Sequence, residues 1–246
     1  MEKGNKMEYL YCEKENFEDL SSGRVIYGAA GVPNFPVRLS NEIYRRCTKY
    51  IPGKEKYVVY DSCCGGGYLL TVLGFCNQNI AKLIGSDISS EMVETARKNL
   101  GLLSWEGLEK RKKELEDLFL QYKKDSHAEA VNSAERLKSY INHDMEYQVF
   151  QADCTKPLKR NEKPDIIITD VPYGNLAAWK DAEGDSLNAM YDRLAEIAHA
   201  NTILAVIMDK KQKYQGNCWK RLERHMIGKR KFEIYEPGRD IRDDTD

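Results

Sequence analysis

The sequence predicts an α/β fold: a doubly wound, mostly parallel sheet with an inserted helical hairpin and an antiparallel C-terminal hairpin. Three observations predict it. Five short apolar runs each close on an aspartate, amphipathic helical stretches alternate with them, and a glycine-rich turn follows the first run. Short Val- and Ile-rich runs mark strands buried on both faces, and strand–helix alternation builds a parallel sheet.

Taken in order, "PVRLSNEIYRRCTKY" (36–50) reads as a helix with Val37, Ile43, Tyr44 and Cys47 on its apolar face. "KYVVYD" (56–61) is the first strand, and "DSCCGGGYLL" turns from it into a helix. "KLIGSD" (82–87) is the second strand. The helix "SSEMVETARKNLGLL" (89–103) follows, capped by Ser89 or Ser90, with Glu91 and Glu94 in or near the first turn, where the helix dipole favours acids. Residues 104–145 break the alternation. Leu115, Leu118, Phe119 and Tyr122 share one helical face, and Val131, Ala134, Leu137 and Ile141 form a second after "KKDSH", which predicts an antiparallel helical hairpin. "YQVFQAD" (147–153), "DIIITD" (165–170) and "NTILAVIMD" (201–209) complete the strands, with a helix over 189–200 before the last. "ERHMIGKRKFEIYEP" (223–237) predicts two strands around a tight turn near Gly228, added to the sheet edge. The expected organisation is one domain over 1–246, with residues 1–50 lying across the active site.

Composition bounds the function. The 246 residues are 41% hydrophobic and 31% charged, enough for a core under a heavily charged surface. No run of about 18 apolar residues exists, and the polar, acidic N-terminus has no signal-peptide core, so no membrane role and a cytoplasmic location are expected. The seven cysteines are odd in number and lack a C-x-x-C pair; adjacent Cys63 and Cys64 are poorly spaced for a metal, so reduced thiols and no metal site are expected. The formal charge of −1 means that a nucleic-acid partner must be held by local basic patches.

The chemistry-bearing residues sit at strand ends. Asp61, Gly65 and Gly67 form acid-x-x-x-Gly-x-Gly, a turn through which a ligand can approach the backbone closely. Taken alone it fits nicotinamide, flavin and S-adenosylmethionine enzymes equally. Asp87, 20 residues beyond Gly67, stands where a carboxylate can accept from ribose hydroxyls, and Asp153 can accept from an adenine amino group. Each single strand-end aspartate is as easily a helix cap. Four of them, 61, 87, 153 and 170, would line one carboxyl edge of a parallel sheet, where such folds bind ligands. After Asp170 the chain runs "DVPYG", a variant of the Asp/Asn-Pro-Pro-Tyr block with Val171 in the first proline position.

In this combination and order, the glycine turn, "SDIS", "ADCT" and "DVPYG" resemble the class I S-adenosylmethionine-dependent methyltransferases, which have a Rossmann-like sheet. With "SSGRVIYGAAGVPNFPVRLSNEIYRRC" (21–47) and the helical insertion, the chain from about residue 20 to about 236 resembles the AviRa-type 23S rRNA methyltransferases. That resemblance implies methylation of a guanine base of 23S rRNA near the peptidyl transferase centre, with N2 as the expected atom, and resistance to orthosomycins such as avilamycin or a housekeeping modification as the role. It implies that Asp61, Cys63, Gly65, Gly66 and Gly67 shape the cofactor's methionine pocket, that Asp87 holds ribose, and that Ile88 packs on adenine. Asp153, with Cys154 beside it, would meet the adenine amino group. Asp170, Val171, Pro172 and Tyr173 would form the target-base site: the Asp170 carboxylate and Val171 carbonyl accept from the base while Tyr173 stacks on it. Asn34, Phe35 and Arg38 would face the substrate RNA. Lys210 and Lys211, in "DKKQK" (209–213), are the expected phosphate contacts, with Lys220, Arg221, Arg224, Lys229, Arg230 and Lys231 as a second basic group. The interleaved charges of the insertion suit a solvated, ion-paired helix pair, with a structural role or contact with the large ribosomal subunit.

Other readings share parts of the pattern. A DNA or RNA adenine-N6 methyltransferase carries the same type of block, although no separate target-recognition domain is evident. A NAD-dependent oxidoreductase shares the turn but would need a hydride-site His or Tyr-x-x-x-Lys. A non-catalytic rRNA-binding assembly factor could keep the fold alone.

Overall fold

A computed structural model of the chain describes residues 7–28, 34–158, 162–171 and 186–238. Its five parallel strands are β1 (Tyr57–Asp61), β2 (Ile80–Asp87), β3 (Glu146–Gln151), β4 (Ile166–Asp170) and β5 (Ile203–Asp209). Strands β6 (Trp219–Ile227) and β7 (Arg230–Pro237) form the C-terminal hairpin. The sheet order is β3-β2-β1-β4-β5-β7-β6, so β7 pairs antiparallel with β5 and β6 forms the outer edge. The chain winds outward from β1 in one direction and from β4 in the other. Their carboxyl ends therefore open a crevice at the switch point of the sheet.

Period-two alternation divides the core into two layers. Ile166, Ile168, Ala205, Ile207 and Phe232 point to one face, while Ile167, Leu204, Val206, Met208 and Tyr235 point to the other. Ile166 to Ile168 and Leu204 to Met208 are fully buried, which is why these runs read as continuously apolar. Helices α2 (Val37–Thr48), α3 (Tyr68–Cys76) and α4 (Ser90–Gly101) contribute to the first layer, and α7 (Ser186–Glu196) contributes to the second. A single turn, α1 (Glu18–Ser21), precedes them. Ser89 rather than Ser90 caps α4, its hydroxyl accepting from the Met92 N–H at 3.4 Å.

The insertion is the predicted helical pair, α5 (Trp105–Tyr122) and α6 (Asp125–Leu137). Lys123, left-handed at φ 52°, ends α5. Ion pairs Lys112–Glu135 (2.8 Å) and Lys138–Glu109 (2.6 Å) cross between the helices in antiparallel register. The pair also clamps the preceding segment. Arg111 Nε donates to the Val25 carbonyl at 2.9 Å, its guanidinium lies 4.1 Å from the Tyr27 ring centre, and the Tyr27 hydroxyl bonds Glu114 at 2.7 Å. Arg136 binds Asp19 through both carboxylate oxygens, at 2.9 and 2.6 Å.

Several boundaries differ from the sequence reading; β2 starts at Ile80 rather than 82 and β6 at Trp219 rather than 223. Strand β3 ends at Gln151, so Asp153 lies two residues past it, although Ala152 N–H still bonds the Asp87 carbonyl. Helix α7 starts at Ser186 and stops at Glu196 rather than running to 200, because the His199 N–H is taken by the Thr202 hydroxyl at 2.9 Å. Ile141 is buried, but beyond α6, after a short 3-10 turn. Among the described residues no helix is long and apolar enough to cross a membrane.

Candidate active site

The crevice between β1 and β4 holds a solvent-open cleft of about 130 Å³. Its position follows from the turn after β1. Gly65 and Gly67 both have positive φ, 50° and 76°. At Gly67 space matters too, since a Cβ would come within 2.9 Å of Ala96 on α4. At Gly65 a Cβ would meet nothing within 4 Å, so only the backbone conformation calls for glycine there. The turn is tied to the next strand: the Gly65 N–H donates to Asp87 Oδ2 at 2.9 Å, and the Cys64 N–H to the Ser86 carbonyl at 2.9 Å.

Asp61, Cys63, Gly65, Gly66 and Asp170 line the cleft together, as do Asn34 and Phe35 from the segment leading into α2. Asp61 is 2% exposed and accepts the Cys63 N–H at 3.0 Å. Burial pushes its carboxyl up to about 7, against the Cys63 amide and the Thr169 hydroxyl, while the charges of Asp170 and Asp87 add to the rise. Asp170 keeps about a quarter of its side chain in solvent. Burial of the rest raises it to about 6, although Arg230 opposes the shift with its charge and a hydrogen bond. Two carboxyls that titrate near neutrality in one cleft are a signature of a chemical site.

The other expected residues fall around this centre. Asp87 uses Oδ2 on Gly65 and Oδ1 on the Ser89 N–H at 2.9 Å, so its visible work is to hold the turn and start α4. Ile88 is 47% exposed just past it. Asp153 Oδ1 accepts from the Thr155 N–H and hydroxyl, at 2.9 and 2.7 Å. Cys154 is buried with its sulfur 3.5 Å from that of Cys63, which joins the ends of β1 and β3. Val171 is 1% exposed, and its N–H continues the β4–β5 ladder to the Ile207 carbonyl at 3.0 Å. Position 171 is thus extended, a conformation that suits a β-branched residue. Pro172 and Tyr173 lie outside the described residues.

Arg38 does not line the cleft. Its guanidinium donates twice to the Cys12 carbonyl at 3.0 Å and lies 3.9 Å from the Tyr9 ring centre. Lys210 and Lys211 are exposed in the turn after β5, on the same sheet edge as Asp170. The sequence reading missed Tyr27, Cys64, Tyr68 and Leu69, which also line the cleft. Tyr68 and Leu69 directly follow Gly67, so the turn itself signals them. Tyr27 gives no local signal, since the insertion places it. Arg230, grouped with phosphate-facing residues by sequence, is instead paired with Asp170 from the start of β7.

The AviRa rRNA methyltransferase family model matches residues 7–230. The chain is 33% identical over 228 residues to the 23S rRNA (guanine(2535)-N(1))-methyltransferase of Streptomyces viridochromogenes, covering 89% of this chain and 91% of that protein. Two solved structures of the rRNA methyltransferase AviRa from that organism superpose with TM-scores of 0.81 and 0.82, at 33% and 32% identity, each covering 91% of this chain and 94% of theirs. TrmN from Thermus thermophilus, at 10% identity and a TM-score of 0.51 over 88% of this chain and 52% of its own, shares the fold alone. With its mixed seven-stranded sheet and its glycine turn at the switch point, the chain belongs to the AviRa family of rRNA methyltransferases.

Proposed function

We propose that the protein transfers a methyl group from S-adenosylmethionine to ring nitrogen N1 of a guanine in 23S rRNA. The observation that carries this reading is the convergence of Asp61, the glycine turn and Asp170 on one cleft. The cofactor fits it chemically. Asp61 is a buried carboxylate at the cleft wall, beside a backbone turn open on the ligand side, and the cofactor's ammonium and sulfonium are cations. When bound, the cofactor supplies an electrophilic methyl on a good leaving group. The remaining task falls to the chain: to hold the base about 3–3.5 Å from that methyl and to manage one proton. Asp87, at the end of β2, and Asp153, two residues past β3, keep their roles toward ribose and adenine in this reading, Ile88 offers an apolar face, and Cys63 lines the cleft with Cys154 against it.

The choice of N1 over N2 rests on the base required and on the name of the Streptomyces relative. The N1 nitrogen of guanine is part of a lactam, and it becomes nucleophilic once it gives up its proton. A carboxylate with a pKa raised to about 6 is a stronger base than an ordinary one, and Asp170 stands at the cleft. Tyr173 is the ring expected to stack on the extruded base, at a gain of about 1–3 kcal/mol against an unstacking cost of a few kcal/mol. Asn34 and Phe35 border the base, while Lys210 and Lys211 are placed to meet RNA phosphates along the same edge. A ribosomal RNA substrate puts this work in the cytoplasm.

The test is transfer of tritiated methyl to large-subunit rRNA, free and in particles, followed by nucleoside analysis. The expected product is 1-methylguanosine. N2-methylguanosine would move the reaction to the exocyclic amine, and N6-methyladenosine would favour the adenine enzyme. Cofactor binding without transfer would favour the assembly factor and overturn the proposal.

A further inference from the structure

The charged partner of Asp170 has a chemistry of its own. Arg230 opens β7, opposite Asp209 of β5 and Ile227 of β6, and its Nη2 donates to Asp170 Oδ1. Its guanidinium carbon lies 5.2 Å from the ring centre of Phe35, and both Phe35 and Asp170 line the cleft. The Arg230 side chain is 21% exposed and that of Asp170 27%. Neighbouring Lys229 is exposed, and Lys231 on the other side is buried and paired with Glu233 at 3.1 Å.

A carboxylate beside a guanidinium presents an acceptor next to donors. The Watson–Crick edge of guanine presents the complement: the N1–H donor next to the O6 acceptor. Adenine presents the reverse, an N1 acceptor beside an amino donor, and would leave both side chains facing like partners. Resting on the function proposed above, we infer that Arg230 is a catalytic and specificity residue: it binds O6 of the target guanine while Asp170 takes the N1 proton. The electrons balance. The N1–H bond breaks, its proton moves to an Asp170 oxygen, and its electron pair stays on the base, shared between N1 and O6. Arg230 stabilises the charge that develops on O6. The pair on N1 then forms the bond to the methyl carbon, and the pair of the broken carbon–sulfur bond stays on sulfur. Asp170 later returns its proton to water. The ion pair of the free enzyme is replaced by contacts to the base, so neither charge is left buried alone.

The test follows methyl transfer by the wild type, Arg230→Gln and Arg230→Lys between about pH 5 and 9, with cofactor affinity as the check on folding. The charged groups bearing on Asp170 are Arg230 from β7 and Asp61 from β1. Loss of the cation should lower kcat about 100-fold with a smaller change in KM for RNA. It should also move the acid limb of the rate profile to higher pH, since Asp170 then gains its proton more readily. Arg230→Lys should return the limb toward its wild-type position and restore part of kcat. An unchanged rate, or a loss confined to KM with the limb in place, would reduce Arg230 to a phosphate contact and overturn the inference. Should Arg230→Gln fail to fold, Arg230→Lys against wild type decides alone: lowered kcat at constant KM supports the role, and raised KM at constant kcat removes it. If the wild type itself yields no 1-methylguanosine, the functional reading falls and takes this inference with it. A wild type that makes 1-methylguanosine beside an indifferent Arg230 variant removes only the inference.

Discussion

The carboxyl edge of the sheet and the helical insertion handle charge in opposite ways. In the insertion, Lys112, Lys138 and Arg136 each find two or more carboxylate partners near the surface, and the charges neutralise one another in solvent. At the edge, Asp61, Asp87 and Asp170 crowd together, and Arg230 is the cation that opposes the rise in Asp170. The first arrangement contributes little per pair to stability and organises a shape. The second costs stability and holds two carboxyls near neutrality, where proton transfer and cation binding are possible. Arg111 connects the two regions, reaching from α5 to the segment that carries Tyr27 into the cleft wall.

The largest effect should come from the edge. Asp170→Asn should lower methyl transfer by about 1,000-fold in single-turnover assays while the protein stays folded and binds cofactor. A loss below tenfold would end its role as the base.

The next effect is a pH dependence. Asp61 titrates at about 7 in the fold against an ordinary 3.8, so the native state holds this proton more tightly than the unfolded chain. The stability linked to it is fully present below about pH 4 and is lost as pH rises through about 7. Cofactor binding runs the other way, because a cation needs the ionised form. Affinity measured by calorimetry should tighten by up to about tenfold per pH unit below 7 and level off above it. Asp61→Asn should flatten that dependence; a wild-type affinity indifferent to pH across this window would exclude Asp61 as the cation's partner.

Smaller still is the link between the regions. Arg111→Ala removes hydrogen bonds to Val25 and Arg24 and a cation–ring contact with Tyr27, and should cost about 1–2 kcal/mol in urea unfolding. It should also weaken cofactor binding severalfold, and unchanged binding would show that the cleft wall stands without the insertion. At the bottom of the scale, Lys112→Ala should leave the urea midpoint unmoved despite the pairs it breaks. A clear shift there would mean that the insertion's ion pairs act as a network.

Much of this architecture was legible in local sequence. Continuous apolar runs such as 165–170 can be satisfied only by burial on both faces, and both faces of that strand are indeed covered. The helical spacing of 115–122 and 131–141 marked the two helices, and Leu115, Ala134 and Leu137 are buried, but Tyr122 at the end of the first face is exposed, where α5 gives way to the hairpin turn. The glycine turn and the aspartates ending β1, β2 and β4 were legible as well, since positive φ and strand ends are short-range properties. What local pattern does not carry is which surfaces meet. Asp170 and Arg230 are separated by 60 positions and come together because β7 slots between β5 and β6. Arg38 spends its donors on Cys12 because the N-terminal segment lies along α2, anchored where Glu42 accepts the Leu10, Tyr11 and Cys12 amides. Tyr27 lines the cleft because a helix from the insertion holds it there. The sequence by itself determined the elements and the carboxylates at their ends, because propensity, periodicity and turn chemistry act over a few residues. The tertiary structure decided which charge answers which, because ion pairing and burial depend on distance in space and not along the chain.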